Sequence, residues 1–173
     1  MLKYSQDNSI KVWDSFYKSK RSNKIIRKVN ELYFTHIFQK TLLGVLKKRA
    51  GKLLEAGCGE AITSARLAKL GYKVTLIDIS ESALNQAKLN FKLHNAKGTF
   101  VQGSIFKMKF SNDAFDVTWN QGVIEHFDKA EDAIKEMYRV TKKNGFVIIL
   151  VPAVFSPLYF YDRLLKFLRL EKY

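Results

Sequence analysis

Two glycines, Gly57 and Gly59, stand one residue apart in the run Glu55-Ala56-Gly57-Cys58-Gly59-Glu60-Ala61, and Asp78 follows 21 residues after the first of them. Glycine lets the backbone turn sharply and lets a bound group come close without meeting a Cβ. A carboxylate at that distance, closing the next strand, can accept hydrogen bonds from both hydroxyls of a ribose. These residues together point to a nucleoside-bearing ligand. The dinucleotide fingerprint needs Gly or Ala at position 62, where this chain has Ile62. A β-branched side chain there crowds a pyrophosphate held at a helix N-terminus, which disfavours an NAD-dependent oxidoreductase. Glu55 adds negative charge beside the loop, opposing phosphate and favouring a cation such as a sulfonium or ammonium. No Gly-Lys-Ser/Thr run follows, so a Walker loop is excluded. A positively charged nucleoside cofactor fits best.

Other chemistry-bearing residues are few. Glu125-His126 offers a general base, since histidine titrates near neutrality, against the plainer reading of a structural pair in its loop. Cys58, the single cysteine, excludes an intramolecular disulfide and a Cys-rich zinc module. It reads as a small packed residue, because Glu55 and Glu60 oppose the thiolate a nucleophile needs. His36 and His94 fall on helical segments with no partner pattern, so no metal site is expected.

The elements that must position these residues alternate from residue 51 onward. Apolar runs at 52–56, 72–79, 99–102, 115–119 and 146–151 read as strands, and 61–70, 80–94 and 128–141 as helices. Ser80 is the expected N-cap of the second helix, and Asn144-Gly145 the expected end of the third. Short strands apolar on both sides, alternating with helices, imply a doubly wound, mostly parallel α/β sheet with helices on both faces. Residues 22–50 carry helical periodicity behind an N-cap at Ser22, and 4–20 read as a short helix or ordered arm with aromatics Trp13, Phe16 and Tyr17. The chain thus divides into an N-terminal helical, substrate-side segment (1–50), a cofactor-binding core (51–152) and a C-terminal helix (153–173).

Composition agrees with one folded domain: 173 residues, 47% hydrophobic and 13% aromatic, supply a core, and such a chain is not disordered despite a net charge of +14. Residues 1–50 hold twelve basic side chains against three acidic ones, clustered at Lys18, Lys20, Arg21, Lys24, Arg27 and Lys28 and again at Lys47, Lys48 and Arg49. That face reads as solvated helix surface, with nucleic acid or anionic lipid as the alternative partner. The longest apolar run, 146–155, is too short to span a bilayer, and no secretory signal opens the chain. A cytoplasmic location is expected.

Five segments, in order, resemble the class I S-adenosylmethionine-dependent methyltransferases, in particular the small-molecule group that includes quinone-biosynthesis C-methyltransferases. Leu53-Leu54-Glu55-Ala56-Gly57-Cys58-Gly59 looks like the first motif of that family, and 74–80 like its acidic second strand. Residues 101–105 match the third segment, 115–127 the fourth strand and its loop, and 138–146 the turn into the fifth strand. The resemblance implies a Rossmann-like fold and S-adenosylmethionine as cofactor. It places Gly57, Cys58 and Gly59 under the methionine part, Glu55 near its ammonium, Asp78 on the ribose, and Ile79 beside the adenine. Ser104, flanked by Gly103 and Ile105, takes the position where the family often has Asp at the adenine amino group. Asn120 and Gln121 border the sulfur and the substrate, and His126 is the candidate catalytic base. The implied reaction is direct, in-line methyl transfer to a small-molecule or lipid-like acceptor. The run 120–123 lacks the Asn/Asp-Pro-Pro-aromatic pattern of exocyclic-amine methylation in nucleic acids, so RNA methylation through the basic cluster ranks second, beside cofactor binding without turnover. Tyr4, Trp13, Phe16, Tyr17, Tyr33 and Phe34 are candidate lid aromatics. The family adds a helix and two strands after the fifth strand, so this fold reads as C-terminally truncated, with an edge open to homodimer pairing. Its basic, apolar final segment is a lesser candidate for peripheral membrane contact.

Overall fold

Alternation of short apolar strands with amphipathic helices leaves the chain one economical arrangement, a parallel sheet buried between helical layers. A computed structural model describes residues 6–18, 39–40, 42–44, 46 and 51–151. In chain order these hold α1 (Gln6–Lys18), β1 (Lys52–Ala56), α2 (Ile62–Lys69), β2 (Lys73–Asp78), α3 (Glu81–Leu93), β3 (Gly98–Gln102), β4 (Phe115–Gln121), a 3-10 turn (Ile124–His126), α4 (Ala130–Val140) and β5 (Thr141–Leu150). The strands pair in the order β3-β2-β1-β4-β5, and every pairing is parallel. Chain direction across the sheet reverses between β1 and β4, which opens a crevice at the carboxyl ends of those strands.

Side chains alternate between two cores. Leu53, Val74, Leu76, Val117 and Trp119 bury against α2 and α3 through Ala65, Leu67, Leu84, Ala87 and Phe91, joined by Leu42 and Leu46. Leu54, Ala56 and Ile77 face the other way and pack on Ala133, Met137 and Val140 of α4. The doubly wound reading therefore holds, and Ser80 caps α3 as expected, its hydroxyl accepting from the Ala83 N–H at 3.1 Å. Leu42 and Leu46, inside the expected 22–50 helix, are helical and buried. Ser22, the basic clusters apart from Lys18, Tyr4, Tyr33, Phe34 and the expected C-terminal helix lie outside the described residues.

One boundary differs. The third helix of the core stops at Val140, and β5 begins at once with Thr141, five residues before the expected strand. Thr141 pairs with Phe115, after which the register shifts so that Val117 meets Phe146. Lys142–Gly145 forms the irregularity, and four hydrogen bonds hold it. The Thr141 hydroxyl donates to the Met137 carbonyl at 2.7 Å and shares a hydrogen bond with the Thr118 hydroxyl at 2.8 Å. Lys142 Nζ and the Lys52 N–H both donate to the Asp116 carboxylate, at 2.6 and 2.7 Å. Local turn residues predicted a helix stop, but long-range pairing to β4 recruits the same segment into strand.

Gly145 is the tight point: a Cβ there would lie 2.6 Å from the Asp116 carbonyl oxygen and 2.7 Å from Thr141 Cγ2. Because the first neighbour is backbone, Gly145→Ala should cost about 1–3 kcal/mol. A lowered urea midpoint with unchanged far-ultraviolet dichroism checks it; an unchanged midpoint shows that the irregularity yields freely.

Candidate functional site

The crevice edge collects the sequence's candidate residues. β1 delivers Glu55 and then the loop Gly57-Cys58-Gly59; β2 ends on Asp78; β3 runs into Gly103; β4 ends on Asn120 and Gln121. Gly57 and Gly59 have φ of +74° and +51°, in the left-handed region that favours glycine. Each is also crowded. A Cβ on Gly57 would sit 2.8 Å from both methyl groups of Val123, and one on Gly59 would collide with the Tyr17 hydroxyl. The loop is tied to β2 by the Gly57 and Cys58 N–H groups, which donate to the Ile77 carbonyl at 2.8 and 3.1 Å.

Asp78 is the hub. Its Oδ2 accepts from the Gly59 N–H and its Oδ1 from the Ser80 N–H, each at 2.9 Å. Each oxygen keeps a further lone pair, so the carboxylate pins both loops and still has acceptor capacity for a ligand. Burial raises its pKa, opposed by the Ser80, Gly59 and Ile79 N–H groups. Glu55 is more extreme. It is buried, its Oε2 has no hydrogen-bond partner, and desolvation pushes its pKa up to about 8. The Ser64 hydroxyl offsets part of that penalty without closing a hydrogen bond of normal geometry, and Asp78 adds to it. A buried carboxylate oxygen without a partner is costly unless something cationic or a donor meets it.

Cys58 is buried, and desolvation, followed by the Asp78 and Glu55 charges, raises its thiol well above the ordinary range. That fits a packed residue rather than a nucleophile. Around the next loop, the Gly103 N–H donates to the Asp78 carbonyl at 2.9 Å, and Ser104 Oγ accepts from the Phe106 N–H at 3.2 Å. Ile79 is half-buried, while Ile105 is buried in the core on the α4 side. Asn120 turns its amide to that side too, with Nδ2 donating to Met137 Sδ at 3.4 Å, so it presents main chain at the strand end. The Gln121 side chain is exposed. Past β4, His126 Nδ1 is shielded from solvent, and both carboxyl oxygens of Glu125 are buried without a hydrogen-bond partner.

The contacts of three further residues were invisible in the sequence. Val123 closes on Gly57 from the β4 loop; Asp14 of α1 accepts from the Ser80 hydroxyl and from the Ser82 N–H at 3.3 Å; and Trp13 stacks edge-on to His126 with ring centroids 5.0 Å apart. Trp13 and Tyr17 were candidate lid aromatics in the sequence, but nothing there gave their neighbours, His126 and Gly59. Asp14 carried no signal, because its partners lie 66 and 68 residues away. Among the described residues no group of three or more His, Cys, Asp and Glu is placed to hold a metal ion, and no helix is long and apolar enough to cross a membrane.

Comparison with known proteins identifies the family of this fold. The chain is 34% identical over 98 residues to a ubiquinone biosynthesis O-methyltransferase of Pelagibacter ubique (strain HTCC1062), covering 57% of this chain and 40% of that protein. It is 32% identical over 102 residues to a malonyl-[acyl-carrier protein] O-methyltransferase of Erwinia billingiae (strain Eb661), covering 59% and 39%. The chain spans about half the length or less of these curated relatives. Among solved structures, the PH0226 protein of Pyrococcus horikoshii OT3 superposes with a TM-score of 0.62 at 26% identity, over 84% of this chain and 65% of that one. A family model described as a methyltransferase domain matches residues 54–149, from the glycine loop through the last described strand, and the chain belongs to that family.

Proposed function

We propose that this chain binds S-adenosylmethionine along the carboxyl ends of β1 and β2 and holds a small-molecule or lipid-like acceptor beside it for methyl transfer. The carrying observation is the buried, unpartnered Glu55 Oε2 next to two left-handed glycines and the Asp78 carboxylate. These residues fit the cofactor the family implies. Glu55 offers a carboxyl that a cation would ionise, and Gly57 and Gly59 add no Cβ on the side where Val123 and Tyr17 pack. Asp78 offers its spare lone pairs to a ribose, and the Ile79–Ser104 region borders an adenine. When bound, the sulfonium supplies an already electrophilic methyl group. What remains for the protein is alignment and exclusion of water, contributions of roughly 7–11 kcal/mol when geometry is well held. His126, on the acceptor side of the crevice, takes the proton of an acceptor hydroxyl. Both relatives described above are named as O-methyltransferases, which supports an oxygen acceptor.

Asp78→Asn removes the charge and keeps one of the two pins, its NH2 facing whichever of the Gly59 and Ser80 N–H groups the oxygen does not take. Isothermal titration should show S-adenosylhomocysteine binding weakened by about 1.5–3 kcal/mol, whereas Asp78→Ala also strips the pins from Gly59 and Ser80 and should lower the melting temperature. An unchanged Kd in the Asn variant removes Asp78 from the ligand site. His126→Asn should lower kcat with little change in the KM for cofactor; an unaltered kcat against a competent acceptor assigns the proton elsewhere.

Glu55 also predicts a pH dependence. Its folded pKa, about 8, stands above the ordinary 4.5, so between those values the folded state holds a proton that the unfolded state has lost. Stability of the ligand-free protein therefore falls as pH rises through that window. Urea midpoints measured from pH 5 to pH 8 should decline, and Glu55→Gln should flatten the decline. A wild-type midpoint that climbs over this range contradicts the buried, protonated carboxyl.

A further inference from the structure

We infer that α1 is a lid over the crevice and that Asp14 is the positioning residue that latches it, controlling how fast ligand enters and leaves. The inference rests on the cofactor reading above for what the ligand is. Three contacts seat α1. Trp13 lies edge-on to His126 on the acceptor side, and the Tyr17 hydroxyl abuts Gly59 on the cofactor side. Between them the Asp14 carboxylate accepts from the Ser80 hydroxyl and the Ser82 N–H. Residues 13 and 17 share one helix face, so a single helix covers both halves of the crevice.

The seat is thin. Of residues 9–18 only Ser9 is fully buried, while Ile10 and Phe16 are 45% and 48% exposed. Elements held by little apolar burial open at low cost, so a charge-assisted bond at their edge weighs heavily. The Ser80 hydroxyl has one proton, and since Ser80 Oγ accepts from the Ala83 N–H, that proton is committed to Asp14. The latch therefore closes on the rigid first turn of α3, two residues beyond Asp78. The Ser80 hydroxyl holds the Asp14 carboxyl below its ordinary pKa, so the latch keeps its charge at neutral pH. Tyr17, pushed upward by burial and then by Asp78, stays a protonated donor over the loop.

The test compares wild type with Asp14→Ala and Asp14→Asn; Ser80 is left intact because it also caps α3. Two readouts are used: amide exchange of residues 6–18 in ligand-free protein, and stopped-flow association and dissociation of S-adenosylhomocysteine. Asp14→Ala should raise exchange across 6–18 about tenfold or more, the lower range for a hydrogen bond to a charged group. Association and dissociation should both accelerate, with Kd changed by less than about threefold. The Asn variant, which retains an acceptor oxygen, should fall between. A residue that merely supported the fold would not speed association when removed. Unchanged exchange over 6–18, or association no faster in the Ala variant, overturns the latch. If wild type binds no S-adenosylhomocysteine, the cofactor reading fails by itself, and exchange of residues 6–18 alone then decides for or against the latch.

Discussion

The Asp78 carboxylate is the constraint on which the site depends. It ends β2, and its two oxygens accept the Gly59 and Ser80 N–H groups. One side chain therefore fixes the glycine bend after β1 and the first turn of α3. Because the group is largely buried, its charge is sustained by those N–H donors rather than by water. The bend in turn determines where Gly57 and Gly59 meet Val123 and Tyr17, and the helix start determines where Ser80 stands to meet α1. Removing the hub would loosen the glycine bend and the start of α3 together.

Around that hub the molecule gathers three carboxyl groups, Glu55 and Asp78 buried and Glu60 half-buried. Glu55, Asp78 and Glu60 all raise the Tyr17 pKa, and Glu55 and Asp78 raise that of Cys58. Burying acids costs stability unless a ligand supplies compensating charge or donors. Such an arrangement is poorly suited to phosphates and well suited to a cationic nucleoside.

The α4 side of the sheet plays a supporting part. Arg139 donates to the Met108 and Phe110 carbonyls and to Asn112, while Glu136 bonds both Arg139 and the Met108 N–H. This network pins the long connection from β3 to β4, which carries Ser104 and Ile105. Edge-on packing of Phe106 on Phe127, with centroids 4.9 Å apart, joins that connection to the loop bearing His126. The two loops that flank the ligand are thereby built on one body.

Strand identity, helix order, the Ser80 cap and the glycine–aspartate pairing were all legible in the residues, because each arises from local pattern: period, capping chemistry, and glycine where φ is positive. Tertiary structure decided the rest. The start of β5 at Thr141 follows from pairing with Phe115, 26 residues earlier in the chain, against the local stop signal at Asn144-Gly145. The inward turn of Asn120 follows from the face that β4 presents to Met137. The meeting of Asp14 with Ser80, and of Val123 with Gly57, needs segments 66 residues apart in sequence to be neighbours in space. No local periodicity encodes such contacts, because they depend on how the layers close and on which polar groups are left to satisfy one another there.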